Sequence, residues 1–204
     1  MKIECGPAHD RRTLSFTLPN VEKIGVFVSG GIDSTLLYYL LLLEKQKTNH
    51  ACDIIPLVIF RNEGSKRFAP PIIEKINRMF DIDKNFKRLG NTTLPDHEQV
   101  TSAVKQAFRL LFMEVVFVGV ISVRSEHQIG FDPIPVPEVE SVQTPLINLE
   151  KSHIIDLYNQ LGITSLLDIT FSCIQSDYIE CGSCNGCRER AWGFSELSRT
   201  DPRL

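Results

Sequence analysis

An apolar run, Ile24-Gly25-Val26-Phe27-Val28, stops at Ser29-Gly30-Gly31 and resumes as a helix-like stretch through Ile32-Asp33-Ser34-Thr35 to Glu44. A strand that ends in two glycines and restarts as a helix turns backbone N–H groups into a concave loop. The helix N-terminus adds roughly half a positive charge there. That is the local chemistry of a phosphate site. Side chains at Gly30 or Gly31 would obstruct approach of phosphate oxygens, and such turns often need positive φ. Ser29, Ser34 and Thr35 are expected to add hydroxyl donors, and Asp33 either caps the helix or helps place a magnesium ion that is bound to phosphate. The run lacks the lysine and the spacer of a Walker A loop, and it is not the dinucleotide G-x-G-x-x-G. A capped strand–turn–helix junction without ligand is the plainer alternative.

The rest of the chain repeats the same unit. Ile24–Val28, Ile54–Phe60 and Val115–Val120 are apolar without polar alternation, as strands buried on both faces are, and Phe86–Leu89 is a weaker fourth. Helical patterns cover Ser34–Lys45, Pro71–Phe80, Glu98–Phe112 and Ser152–Leu161. The first is apolar nearly all round. The third places Val100, Val104, Ala107, Phe108, Leu111 and Phe112 on one face, and Gly162 stops the fourth. Alternating strands and helices predict an α/β fold, a parallel sheet with helices on both faces. Thr13–Leu18 reads as an edge strand outside this repeat. The connection holding Asp132-Pro133-Ile134-Pro135-Val136-Pro137 leaves the carboxyl end of a strand and reads first as a substrate-covering loop, with a plain surface excursion as the alternative.

Composition narrows the setting. The chain has 204 residues and a formal net charge of -3, which argues against wholesale coating of nucleic acid. The local excess of Arg61, Lys66, Arg67, Lys75, Arg78, Lys84, Lys87 and Arg88 reads as a solvated face. With no signal-peptide pattern and no apolar run beyond Leu36–Leu43, the expectation is a cytoplasmic protein with no membrane partner.

Cys173, Cys181, Cys184 and Cys187 follow C-x7-C-x2-C-x2-C. Four thiolates so close predict a structural zinc site, with an iron–sulfur cluster as the competing ligand set. An all-cysteine set leaves no open position on the metal, so its expected task is to hold the C-terminal segment in place. Cys5 reads as a surface cysteine and Cys52 as a buried one, both without function.

Together, Ser29-Gly30-Gly31-Ile32-Asp33-Ser34, Thr144-Pro145-Leu146-Ile147-Asn148-Leu149-Glu150-Lys151 and the stretch from Thr170-Phe171-Ser172-Cys173 to Cys187-Arg188 resemble the 7-cyano-7-deazaguanine synthase family of PP-loop ATP pyrophosphatases. The resemblance rests on these three islands within residues 24–194. It implies a Rossmann-like, adenine nucleotide alpha hydrolase-like fold, with a PP-loop domain over residues 1–165 and a zinc-binding C-terminal region over 166–204. It implies an ATP-dependent C–N ligase of queuosine biosynthesis. ATP activates 7-carboxy-7-deazaguanine as an acyl adenylate, ammonia gives the amide, and a second ATP dehydrates the amide to the nitrile.

Carried over by motif, Ser29, Gly30, Gly31, Ile32, Ser34 and Thr35 bind ATP, Asp33 and Lys151 act in catalysis, and the four cysteines bind Zn2+, with Mg2+ accompanying the nucleotide. Lys151 is expected as a cationic phosphate contact, with a solvated helix-start lysine as the alternative. Phe60-Arg61-Asn62-Glu63-Gly64 and Ile121-Ser122-Val123-Arg124-Ser125 differ from the family's usual substrate-recognition segments. Alternatives are therefore a relative that stops at the amide or acylates a macromolecular amine, a tRNA thiolase for which Cys52 is the nearest sulfur carrier in sequence order, and a retired nucleotide-binding protein. The oligomeric state is left open, with a homodimer among the options.

Overall fold

The computed structural model describes residues 1–59, 65–90, 94, 96–123, 140–174 and 179–203. The proline-rich loop, Phe60–Gly64 and Arg124-Ser125 lie outside these residues. Five strands form one parallel sheet: β3 (Lys23–Phe27), β4 (Asp53–Ile59), β5 (Lys87–Leu89), β6 (Val115–Phe117) and β7 (Val142–Gln143), in the order β5-β4-β3-β6-β7. The strands are apolar because both faces are covered. Ile24, Val26, Ile54, Val58, Val115 and Phe117 point to one core, and Phe27, Leu57, Leu89 and Val116 to a second.

The first core takes α1 (Ile32–Thr48), α2 (Ser65–Met79) and α4 (Lys151–Gln160), while among the described residues α3 (Asp96–Leu111) is the helix that covers the other face. The sheet is therefore sandwiched as expected but unevenly. Helix α1 buries Leu36, Leu37, Tyr38, Leu40, Leu41 and Leu42, which accounts for its nearly continuous apolar surface. Pro56 is tolerated inside β4 because it falls before Leu57, the first β4 residue to pair with β5, so no ladder bond there needs its missing N–H.

Several boundaries differ from expectation. Helix α2 begins at Ser65 rather than Pro71, with Pro70 and Pro71 inside it. Proline is favoured at a helix start, which is why Pro71 reads as one, but the helix continues upstream, where Ala69 is fully buried. Phe112 is not on the apolar face of α3: it lies past the helix end at φ 53° and is 72% exposed. Gly162 does terminate α4, at φ 67°, and Ile163 donates its N–H back to the Tyr158 carbonyl. The Thr13–Leu18 segment contributes β2 (Arg12–Ser15), which pairs with β1 (Lys2–Cys5) in a separate antiparallel ribbon. That ribbon buries Cys5 completely, so Cys5 is not a surface residue, and burial pushes its thiol up to about 11. Of the basic segment, Arg78 pairs with Glu74, Lys84 with Asp53, and Lys75 donates to the Ser165 carbonyl, which fits a solvated, locally satisfied face. Among the described residues no helix is long and apolar enough to cross a membrane.

Candidate active site and cysteine centre

The strand order reverses between β3 and β6, and α/β sheets bind ligands outside the carboxyl ends of their strands at such a point. A cavity of about 360 Å³ opens there. Its floor is Val28, Ser29, Gly31, Ile32, Asp33 and Ser34 from the end of β3 and the start of α1, with Val118, Gly119 and Val120 after β6. Gly119 was not singled out from the sequence, yet it is what lets the two elements meet. A Cβ there would sit 3.0 Å from both the Cα and N of Ser34.

The two loop glycines differ. Gly30 has φ 90°, and a Cβ on it would lie 2.7 Å from Phe68 Cβ, so both conformation and space demand glycine. Gly31, the N-cap of α1, is extended at φ -79°, and a Cβ would meet nothing closer than Ser29 Oγ at 3.4 Å. It opens onto the cavity without needing positive φ. The turn is closed by its own hydroxyls. Ser34 Oγ accepts from the Ser29 N–H at 3.0 Å and lies 2.9 Å from Ser29 Oγ, and Gly31 N–H donates to Ser29 Oγ at 3.3 Å. The first-turn N–H groups of α1 have no intrahelical acceptor and face the same end.

Thr35 does not join them. It is fully buried beneath the turn and its N–H returns to the Gly31 carbonyl, so the expected hydroxyl donor points away from the cavity. Asp33 is not the cap either, since the cap is Gly31 and α1 has no side-chain cap. Both Asp33 oxygens instead accept from Lys151 Nζ, at 2.8 and 2.7 Å. Lys151 is buried rather than solvated, and its ammonium lies 3.3 Å from a second carboxylate, Glu189. Burial alone would push the Lys151 ammonium down, but Asp33 and then Glu189 outweigh it and hold it above the ordinary lysine value.

Glu189 lies on α5 (Asn185–Ser195), a helix the sequence reading did not place. The opposite wall of the cavity is built from this C-terminal region: Phe171, Ser172, Cys173, Ile174, Gly186 and Glu189. Phe171 donates its N–H to the Gly30 carbonyl at 2.9 Å and stacks on Phe68 with ring centroids 4.1 Å apart. Gly186 is required, because a Cβ would come within 2.1 Å of the Ser172 carbonyl. Arg190 is buried and fully engaged, with Nε and Nη2 on Asp201 at 2.6 and 2.9 Å, Nη1 on Thr170 and Nη2 also on the Leu167 carbonyl. It pins α5 to a short 3-10 helix, Thr164–Ile169.

Behind this wall the four cysteine sulfurs converge, all within 4.8 Å of one another. Cys173 and Cys184 are 4.0 Å apart at sulfur, as are Cys181 and Cys187. Four thiolates on one tetrahedral ion stand about 3.8 Å apart at zinc–sulfur distances of about 2.3 Å, so the donor set fits a single soft cation. A four-iron cluster interposes an iron between each thiolate and the core and spaces the sulfurs more widely. Hydrogen bonds, first from Ser183, draw the exposed Cys181 thiol down to about 6, whereas burial and then Glu180 push Cys187 well up. Cys52 precedes β4 at the amino end of the sheet, opposite the cavity, so sequence order misplaced it as a neighbour of the nucleotide turn.

A second group of potential ligands, Asp10, Glu150 and His153, is already engaged by Arg12, which bonds Asp10 at 2.7 Å and Glu150 at 2.7 Å. It clamps the β1–β2 ribbon to α4 and thereby steadies Lys151 at that helix's start.

With this geometry in hand, comparison with known proteins is informative. The family profile for queuosine biosynthesis protein QueC matches residues 134–198. A relative from Hydrogenovibrio crunogenus named 7-cyano-7-deazaguanine synthase is 42% identical over 229 residues, covering 91% of this chain and 96% of that protein. One from Nostoc punctiforme with the same name is 43% identical over 61 residues, which span 30% of this chain and only 26% of that protein. The solved U34-tRNA thiolase NcsA from Methanococcus maripaludis, with its [4Fe-4S] cluster, superposes with a TM-score of 0.46 at 14% identity, covering 91% of this chain and 68% of that one.

Proposed function

The chain belongs to the QueC family of 7-cyano-7-deazaguanine synthases, and from that premise we propose that it is an ATP-dependent ligase that adenylates a carboxylate, 7-carboxy-7-deazaguanine, and carries the acyl group through the amide to the nitrile with ammonia as nitrogen donor. The observation that carries this reading is convergence. The Ser29–Ser34 turn, the N-terminus of α1 and the Lys151 ammonium meet on one cavity at the switch point of the sheet.

A carboxylate resists attack by ammonia until its oxygen becomes part of a good leaving group. In the adenylation step the carboxylate oxygen bonds to the α-phosphorus and pyrophosphate departs with the electron pair of the broken P–O bond. The growing negative charge falls where the α1 N–H groups point, with the buried Lys151 ammonium close by. Ammonia then bonds to the acyl carbon and AMP leaves. The apolar lining from Val28, Ile32, Val118, Val120 and Phe171 excludes the water that would otherwise hydrolyse the adenylate. Mg2+ would ride on the phosphate oxygens, with the Asp33 carboxylate as a hard-oxygen ligand of suitable chemistry.

Cys173, Cys181, Cys184 and Cys187 would hold Zn2+, which fixes the cavity's second wall when bound and offers no open position for chemistry. The thiolase alternative has no sulfur carrier at the cavity in Cys52. An acceptor other than the free deazapurine, or a reaction that ends at the amide, is the second reading, carried by the departures of Phe60-Arg61-Asn62-Glu63-Gly64 and Ile121-Ser122-Val123-Arg124-Ser125 from the family's usual segments. The 229-position alignment draws on only 91% of this 204-residue chain, so the relative carries residues that this chain lacks.

The deciding experiment incubates zinc-replete protein with ATP, magnesium, ammonium and 7-carboxy-7-deazaguanine and follows AMP and the deazapurine by mass spectrometry. Nitrile with AMP is the expected result. Amide alone would restrict the reaction to its first half. Bound ATP with neither AMP nor product would overturn the acceptor assignment and turn the search to tRNA and protein amines.

A further inference from the structure

Lys151 is over-committed. An ammonium has three N–H donors, and here two go to Asp33 at 2.8 and 2.7 Å while Glu189 approaches at 3.3 Å. No donor is left over for a phosphate oxygen. The charge balance points the same way. Asp33, Lys151 and Glu189 are the charged side chains among the described residues lining the cavity, so an anion pocket carries a formal -1.

We propose that Glu189 is an internal competitor for the nucleotide: its carboxylate holds the third Lys151 N–H in the empty enzyme and gives it up when a phosphate arrives, which sets the affinity of the site for polyphosphate. Glu189 yields rather than Asp33 because it meets Lys151 through one oxygen at a longer distance, whereas Asp33 engages Lys151 with both oxygens and is fixed in the first turn of α1. Glu189 also comes from the opposite wall. The exchange replaces one anion on the ammonium by another, so its energetics are those of a charge-assisted hydrogen bond swapped inside a partly dry site. The inference rests on the cavity being the phosphate site, as proposed above.

Binding of ATP and of inorganic pyrophosphate, measured by titration calorimetry in magnesium-free, chelator-free buffer at low ionic strength, tests it with Glu189→Gln, Glu189→Asp and Lys151→Met, the bound metal being counted in each to show that the cysteine centre is intact. Competition predicts that Glu189→Gln binds both probes roughly tenfold more tightly, a gain that shrinks as salt is raised. Glu189→Asp, which keeps the charge but withdraws it from Lys151, should gain less. The Glu189→Gln gain should largely vanish in the Lys151→Met background, whereas a gain that persists there is general repulsion and overturns the proposal. Unchanged or weaker binding by Glu189→Gln overturns it too, and assigns Glu189 to positioning Lys151. If Lys151→Met leaves binding of both probes unchanged, the phosphate-site reading itself fails.

Discussion

The glycine turn and the cysteine knuckle face each other across one cavity, yet they hold their shapes by different means. The turn is closed by bonds within seven residues: Ser29 to Ser34, Gly31 to Ser29, Thr35 to Gly31. The knuckle brings together a sulfur from Cys173 and three from 181–187, and thiols make poor hydrogen bonds to one another. Backbone N–H groups of Cys184 and Cys187 and the Ser183 hydroxyl donate to these sulfurs, but such weak bonds bring four thiols together less firmly than a shared cation would. One wall of the site is thus preformed by local sequence, and the other, on the metal-binding reading proposed above, takes its shape from a bound ion.

The largest expected effect follows from that dependence. Cys184 is both a candidate ligand and the N-cap of α5, accepting from the Cys187 N–H. Cys184→Ser should lose the metal and cost several kcal/mol, because the wall it anchors carries Gly186, Glu189 and the buried Arg190–Asp201 pair. Metal stoichiometry and thermal melting measure this. A variant that loses the ion and melts like the parent would show the knuckle to be as self-sufficient as the turn.

Within the turn the two glycines provide the next contrast. Gly30→Ala forces a left-handed backbone on alanine and a Cβ against Phe68, so it should cost about 2–3 kcal/mol and weaken ATP binding more than tenfold. Gly31→Ala should change stability by less than about 1 kcal/mol, since it adds only ordinary contact. Gly31→Arg fills the cavity and should abolish ATP binding while leaving the metal in place. Chemical denaturation with nucleotide titration separates the three. Equal destabilisation by the two alanines would mean the turn does not have the strain assigned to Gly30.

A smaller effect, read by pH, concerns the helix that carries Lys151. His153 Nδ1 accepts from the Glu150 N–H at 3.2 Å while Nε2 lies 2.9 Å from the Asp10 carbonyl, the bonding of a neutral ring. Burial and the nearby Arg12 charge hold its pKa below the ordinary 6.5, outweighing the opposing pull of Asp10 and Glu150. A depressed histidine binds protons more readily when unfolded, so its contribution is present above that ordinary value and is lost as pH falls through the folded-state value. Melting temperature should therefore decline on acidification below about 6.5, and His153→Gln should flatten the decline. An unchanged slope in that variant would assign the acid sensitivity to the thiols instead.

What could be read in advance divides along the same line. The turn, the helix from Leu36, the cysteine spacing and Gly162 are local patterns, and each was legible. Glu189 and Gly119 were not, because their importance lies in what the fold sets against them: Lys151 from a helix 38 residues away in one case and Ser34 in the other. The two-residue strand β7 is too short for any periodicity and is defined by pairing with β6 alone. Cys52 shows the opposite error, since closeness in strand order hides which end of the sheet a residue occupies.

Thr35 tests how fine that legibility is. Read in line, Asp33, Ser34 and Thr35 are three consecutive oxygen-bearing side chains at a helix start, but successive helical residues diverge by about 100° and cannot all face one ligand. The structure turns Ser34 into the loop and Thr35 into the core, where its hydroxyl makes no hydrogen bond of ordinary geometry among the described residues. A buried hydroxyl whose polar neighbour, the Tyr158 hydroxyl, already bonds the Ile32 carbonyl is replaced by a methyl group of the same shape at small cost. Thr35→Val should thus keep ATP affinity within about twofold and stability within about 1 kcal/mol of the parent. Ser34→Ala, which removes the acceptor of the Ser29 N–H, should weaken binding. If Thr35→Val instead weakens ATP binding tenfold while melting normally, the first turn of α1 must rotate on nucleotide binding, and the turn would be no more preformed than the knuckle across from it.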